Sequence, residues 1–402
     1  MFESVAQCFR PGAKAAAGDT LCAMKARPRA PKSRFRPIVP VKRTNSRVRI
    51  DLLQPTGGAM TEANRRFLRR ILRGMLAVSA ALAVLCALLL VSAYAVYTLA
   101  PAGPQSSGGP NAVWAAHKWV GDFHSVETYD ALAADLQRNG ITDVYFHVGP
   151  LDGDGLIPRA KYRNAPALLA AMRIRDPAIR LHAWIGQVER RAGGPLDLSD
   201  AGVRGNIRRA AEGFLETGFD GIHYNIEPIR SGDRDLLALL DATRAATRAH
   251  DALLSMATDE LEPFPGAQYL LRPLARRAGL WSPAYYRDVA LRLDQIAVMM
   301  YDTASPWDWL YGAIVAYETW RLAGIAGPDT TLFMGVPTYE DEHFGFRPEA
   351  ENMGSGLRGI RIGLHYAGAV GPDHFGAAVY AGWTTKEAEW ATWRRQWLGQ
   401  PG

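Results

Sequence analysis

Cysteine is scarce: the 402 residues hold three, Cys8, Cys22 and Cys86, and none follows residue 86. Everything beyond that point is held together without disulfides, so its stability must come from a packed core and be indifferent to reductant. Charge is missing from residues 75–100, MLAVSAALAVLCALLLVSAYAVYTLA. That run exceeds the core of a signal peptide and matches the roughly 20 residues a bilayer span requires. Lysine and arginine are also missing between Arg73 and Lys118, while Arg65, Arg66, Arg69, Arg70 and Arg73 stand just before the run. The positive-inside rule then keeps the amino end in the cytoplasm and sends the remainder outward. Two motif classes are lacking as well. No H-x-H or H-x-x-E-H spacing occurs, which speaks against a metal hydrolase. No glycine-rich phosphate turn follows the first strand-like run, where WVGDFHS stands instead, which speaks against an open doubly wound nucleotide-binding sheet.

Charge is unevenly spread. Residues 1–100 hold 17 of the 46 Lys and Arg and 4 of the 40 Asp and Glu, so this segment carries +13 and the rest −7. A basic head on a mildly acidic body argues against nucleic acid as a partner of the body. The sequence therefore reads as five segments. Residues 1–59, rich in Arg and Pro and without periodicity, are a disordered basic tail or a mis-assigned start upstream of Met60. Residues 60–74 are a basic cytoplasmic preamble, and 75–100 a transmembrane signal-anchor through which the chain meets the membrane. Cleavage near the small residues Ala93 and Ala95 is the alternative to an anchor. Cys86 lacks the small residue before it that lipidation would want, Leu85 standing there. Residues 101–111, PAGPQSSGGPN, have the composition of a linker that holds the body off the membrane. Residues 112–402 are the body.

In the body, strand-like runs alternate with helix-period segments. The runs are 112–120, 141–149, 180–188, 219–227, 253–260, 295–302, 331–338 and 374–383, separated by amphipathic stretches such as VETYDALAADLQRN and DRDLLALLDATRAATRA. Eight strand–helix units imply an α/β fold, a (β/α)₈ TIM barrel. Function then belongs at the carboxyl ends of the strands, which here carry His117 to Trp119, His147, Trp184 with Gln187, Asp259 with Glu260, Tyr301 with Asp302, Tyr339 with Glu340, and Trp383. The fourth run, FDGIHYNIE, puts His223, Asn225 and Glu227 at alternate positions, on one face of a strand. Burying an imidazole, an amide and a carboxylate together is costly unless they are paired or catalytic.

DGIHYNIE, followed by IAVMMYD, GVPTYE and AVYAGW on the sixth to eighth runs, resembles the family 18 glycoside hydrolases, the chitinases and their relatives, over the whole body. The family signature D-x-x-D-x-D-x-E falls on Asp220, His223, Asn225 and Glu227, with two of its acids replaced. Its M-x-Y-D falls on Met299, Tyr301 and Asp302, and its eighth-strand tryptophan on Trp383. The resemblance implies a glycosidase of an N-acetylated glycan, with Glu227 as general acid and the substrate's own acetamide as nucleophile, positioned by Asn225. It implies Tyr301 and Asp302 as further catalytic residues and Trp383 as the floor of the sugar pocket, and it calls for no metal or cofactor. Trp184, Gln187, His223 and Tyr339 are the other expected substrate contacts, with His223 placed to bond Asn225 or Glu227 and so tune the acid.

Two rivals stand beside this reading: a two-carboxylate glycosidase using Glu227 and Glu340, and a non-catalytic chitinase-like glycan binder. His117, His147 and His182 read as satisfied core residues, and Met299 and Met300 as core filler. Trp307, Trp309 and Tyr311 read equally as loop packing or as sugar platforms. Nothing in the loops selects the glycan.

Overall fold

The computed structural model describes residues 61–103, 109–271, 279–341, 345–368 and 374–400. The segment 1–59, Met60 as a start site, Cys8 and Cys22 lie outside the described residues. Contacts divide the chain at Cys86. The helix Glu62–Leu99 crosses that boundary, with residues 87–99 belonging to the same unit as the barrel; its most apolar window has a mean hydropathy of 2.6 and no buried residue. One long apolar helix of this kind is a candidate span.

The second unit is a closed barrel of eight parallel strands in sequential order: β1 Ala112–Ala115, β2 Asp143–Pro150, β3 Arg180–Val188, β4 Gly221–Glu227, β5 Leu253–Thr258, β6 Gln295–Val298, β7 Thr331–Pro337 and β8 Phe375–Tyr380. Ala112 and Val113 pair with Ala378 and Val379 to close it. Parallel neighbours force each connection to run back outside the barrel, and the amphipathic segments do so as helices. Their starts are cut by side-chain caps: Ser125, Asp200, Asp233, Ser282 and Asn352 each accept from a backbone N–H in the first turn. At Thr217 the stop is Gly218, with φ 109°, where a side chain would be strained.

Because strand side chains alternate, the sheet has two cores. Outward-facing Val144, Phe146, Leu181, Ile222, Tyr224 and Leu254 pack against the helices. Inward-facing Trp114, Tyr145, Trp184, Met299, Tyr301, Phe333, Tyr339 and Tyr380 form a separate aromatic column inside. The floor of the barrel is polar. Asp143, fully buried, accepts from Arg180 (Nε, 2.8 Å), from Gln295 (Nε2, 2.8 Å) and from His182 (Nε2, 2.9 Å). Burial pushes its carboxyl up, but Arg180 and His182 outweigh that and hold it well below the usual range. His182 is thus a core partner, as expected.

Two strands stop earlier than their apolar runs suggest. β1 ends at Ala115, and Lys118–Gly121 winds into a helical turn in which Val120 and Gly121 donate to His117 O. β6 ends at Val298, and Asp302 bends the chain away at φ 62°. The expected linker is also bonded to the body at both described ends: Gly103 N donates to Arg361 O, and buried Asn111 bonds Thr142 and Trp397.

Candidate active site

β4 is flanked by β3 and β5 in register, with Trp184 beside His223, Gly186 beside Asn225 and Val188 beside Glu227. The pattern H-x-N-x-E therefore climbs the inner wall, from the middle of the barrel to its mouth.

His223, at the lowest step, is fully buried and saturated. Trp114 Nε1 donates to its Nε2 at 3.0 Å, so Nε2 carries no proton, and Nδ1–H donates to Ser255 Oγ at 2.9 Å. Tyr145 stacks on the ring at 3.7 Å between centroids. Burial, then His182, holds the imidazole pKa well below its usual value, so the ring is neutral. This corrects two expectations: His223 bonds neither Asn225 nor Glu227, and it is not exposed to a substrate. Its partners come from β1 and β5, more than 30 residues away in each direction. It joins the core histidines instead, as does His147, whose pKa burial, with His117 and Lys161, lowers to about 3.

Asn225, one step up, is 5% exposed, and its Oδ1 has no partner. Glu227 ends the row, 4% exposed, with Oε2 unpartnered. It makes no ion pair among the described residues. Burial raises its pKa to about 8, and the neighbouring Asp302 adds to the rise. A carboxyl in this state still holds its proton at neutral pH. Asp302 Oδ1 accepts from Tyr339 Oη at 2.5 Å, and Tyr301 stacks on Tyr380 with centroids 5.0 Å apart. Trp184 is buried with an unpartnered Nε1. Trp383, 38% exposed, lies nearly parallel to it at 6.4 Å. The strand ends thus bring together a protonated Glu227, an amide oxygen, the tyrosine-bound side chain of Asp302 and an indole face.

Two other expected residues stand elsewhere. Gln187 sits one position out of phase with Trp184 and Gly186, beside outward-facing Ile226, and both ends of its amide are tied to backbone, Nε2 to Leu151 O and Oε1 from Val188 N. It is a loop brace, which corrects its assignment as a substrate contact. Glu340 is exposed in the loop after β7 and ion-paired with Lys386. Tyr311 is buried, its Oη donating to Met300 O at 2.7 Å, and both methionines pack in the cores.

The sequence reading gave no role to a set of buried carboxyls around the mouth. Asp259 is raised well above the usual range by burial and then by Glu227, while burial first of all lifts Glu318 and Glu351 to about 8 each. Glu318 accepts from Leu261 N at 3.1 Å and Glu351 from Thr303 N at 3.2 Å. Asp259 was visible as a strand end. Glu318 lies on a helix and Glu351 in a loop, where no periodicity marks them. Among the described residues, no group of acids and histidines has the geometry to hold a metal ion.

The sequence matches no protein-family model. It matches no curated protein. Solved structures do match the fold. A class V chitinase from Pseudomonas fluorescens Pf-5 is 13% identical, covering 71% of this chain and 98% of that one, with a TM-score of 0.47. The spore cortex-lytic enzyme of Bacillus cereus is 10% identical over 74% and 76%, TM-score 0.49. A chitinase from Chromobacterium violaceum is 13% identical over 73% and 100%, TM-score 0.48. At this distance the likeness concerns the (β/α)₈ fold and assigns no activity.

Proposed function

We propose that the protein is a membrane-anchored glycosidase acting outside the cytoplasm on an N-acetylated glycan, by a retaining mechanism assisted by the substrate. Glu227, buried at the mouth with its pKa raised to about 8, is the observation that carries this reading. A protonated Glu227 gives its proton to the glycosidic oxygen as the bond to C1 breaks. The acetamide oxygen of the same sugar attacks C1 from the other face and forms a cyclic oxazolinium. Asn225 Oδ1, an acceptor without a partner, takes the acetamide N–H and aligns it. Glu227, now ionised, draws a proton from water as the water opens the ring, and retention follows from two inversions. Asn225, an amide, can hydrogen-bond the oxazolinium but cannot neutralise its charge. Trp383, the exposed member of the pair, offers an indole face for the apolar side of a sugar ring.

The test is Glu227→Gln in the full chain with oligomers of β-1,4-N-acetylglucosamine. Turnover should fall by a factor of about 10² to 10⁴ while oligomer binding persists. Binding without turnover in the unmodified protein would instead support the glycan-binder reading, and unchanged turnover in the variant would remove Glu227 from the chemistry.

A further inference from the structure

The end of the apolar helix is docked along the barrel, and the direction of docking carries information. Tyr94 meets Trp309 edge to face at 5.5 Å. Tyr97 lies against Gly312, where an added Cβ would come within 2.2 Å of its ring, and Arg358 donates to Tyr97 O and Thr98 O. Ala100 packs with Ala316 and Ile362, and Gly103 bonds Arg361. As the chain advances from 94 to 103, its partners advance from 309 to 316 on helix Asp308–Ala323 and from 358 to 362 on helix Met353–Ala367. Both helices leave the carboxyl end of a strand and run back to the amino end of the next. The docked segment therefore runs from mouth to floor, and the chain before Tyr94 departs at the mouth.

What departs is apolar and uncovered. Leu88, Leu89 and Val91 are 59%, 61% and 65% exposed. Exposed apolar side chains continue from there onto the nearest part of the rim: Trp307, stacked on Trp309, after β6, and Phe264 and Tyr269 after β5. Tyr317 Oη bonds Pro263 O and ties that loop to the docking helix. Aromatic side chains beside an apolar helix are the usual furniture of a membrane–water boundary. Alongside, Tyr97, Asp308, Asn352, Ser355, Arg358 and Arg361 line a polar recess of about 310 Å³. Its two guanidiniums form no ion pair among the described residues, and anionic headgroups favour such cations.

We infer that the mouth of the barrel opens toward the bilayer that holds the apolar helix, with the Phe264, Tyr269 and Trp307 rim seated in its interface, and that the substrate is a glycan lying on or attached to the membrane surface. The orientation stands on the docking geometry. The substrate class rests in addition on the glycosidase reading, and the experiment separates the two.

Cys8, Cys22 and Cys86 are replaced by serine in the full chain, and one fluorophore is attached through Phe264→Cys or Leu291→Cys. Both sites are exposed, and they lie in the same sector at opposite ends of the barrel. The protein is reconstituted in vesicles carrying a nitroxide on the lipid headgroup. The label at 264 should be quenched strongly and the label at 291 should match a nitroxide-free control, since a helix of 16 residues separates the two ends by about 24 Å. Equal quenching, or stronger quenching at 291, overturns the orientation. In a second arm, a tetramer of N-acetylglucosamine is supplied dissolved or lipid-linked in the same vesicles. Faster cleavage of the lipid-linked form by at least tenfold is expected. Equal rates overturn the substrate class, and cleavage of neither form overturns the glycosidase reading while the quenching still decides the orientation.

Discussion

Glu227 owes its proton to position. It is the last residue of β4, 4% exposed, next to the inner aromatic column, so its carboxyl has lost water and has no ion pair among the described residues. Because the pKa is raised to about 8, the catalytic form should dominate below that value and disappear above it. We expect kcat/KM for an N-acetylated oligomer to be level through neutral pH and to fall as pH rises through about 8. A descending limb near pH 5 would show that Glu227 ionises normally and is not the acid. The alternation H-x-N-x-E made the row and its common face legible in the sequence. The work of His223 was not legible, since Trp114 and Ser255, which saturate it, come from strands far away in the chain. His223→Ala would strand both partners and leave a void, a loss on the order of 3 kcal/mol in a denaturant titration. Loss of that size with the pH limb unmoved is the outcome expected of a structural residue. A displaced limb would restore His223 as a tuner of the acid.

At the scale of elements, the eight strand–helix units were readable because period-2 and period-3.6 patterns alternate along the body. The ends of β1 and β6 were not, because apolar residues continue past the point where pairing stops. The docking of residues 94–103 was hidden more deeply: residues 94–100 close the apolar run read as the span, and nothing in such a run marks the ring that meets a glycine on a distant helix. Gly312 makes that contact testable. In a helix interior alanine is better than glycine by about 1 kcal/mol, yet a Cβ at 312 collides with the Tyr97 ring. Gly312→Ala should therefore lower the melting temperature of the full chain, and the same change made in a Tyr97→Ala background should cost less, because only Ser355 O, 3.0 Å from the added Cβ, would still crowd it. A stabilising effect in both backgrounds would mean that Tyr97 is not seated there.

Across the whole molecule, the buried carboxyls set how stability depends on pH. Glu318 and Glu351, normally near 4.5, are raised to about 8, so between these values the folded chain holds protons that the unfolded chain has released. Stability must then fall as pH rises through that window. Thermal unfolding is expected at a higher temperature at pH 5 than at pH 8.5, and Glu318→Gln, which keeps an acceptor for Leu261 N, should flatten part of the slope. A melting temperature that rises with pH over this range would contradict the assignment. The composition of the chain showed an acidic body but not that its acids are buried in one neighbourhood, which depends on how the segments after β5, β6 and β7 converge.

The central claim, that Glu227 protonates the leaving oxygen while the substrate's acetamide attacks, is tested most directly by weakening that nucleophile without touching the protein. A β-glucosaminide substrate is prepared with N-acetyl, N-fluoroacetyl, N-difluoroacetyl and N-trifluoroacetyl groups, and kcat is measured for each. Each fluorine withdraws electrons from the carbonyl oxygen, so the account predicts a steep, monotonic fall in kcat along the series, with the de-N-acetylated sugar inert. Rates that stay level across the series, or brisk cleavage of the sugar without an acetamide, would contradict it.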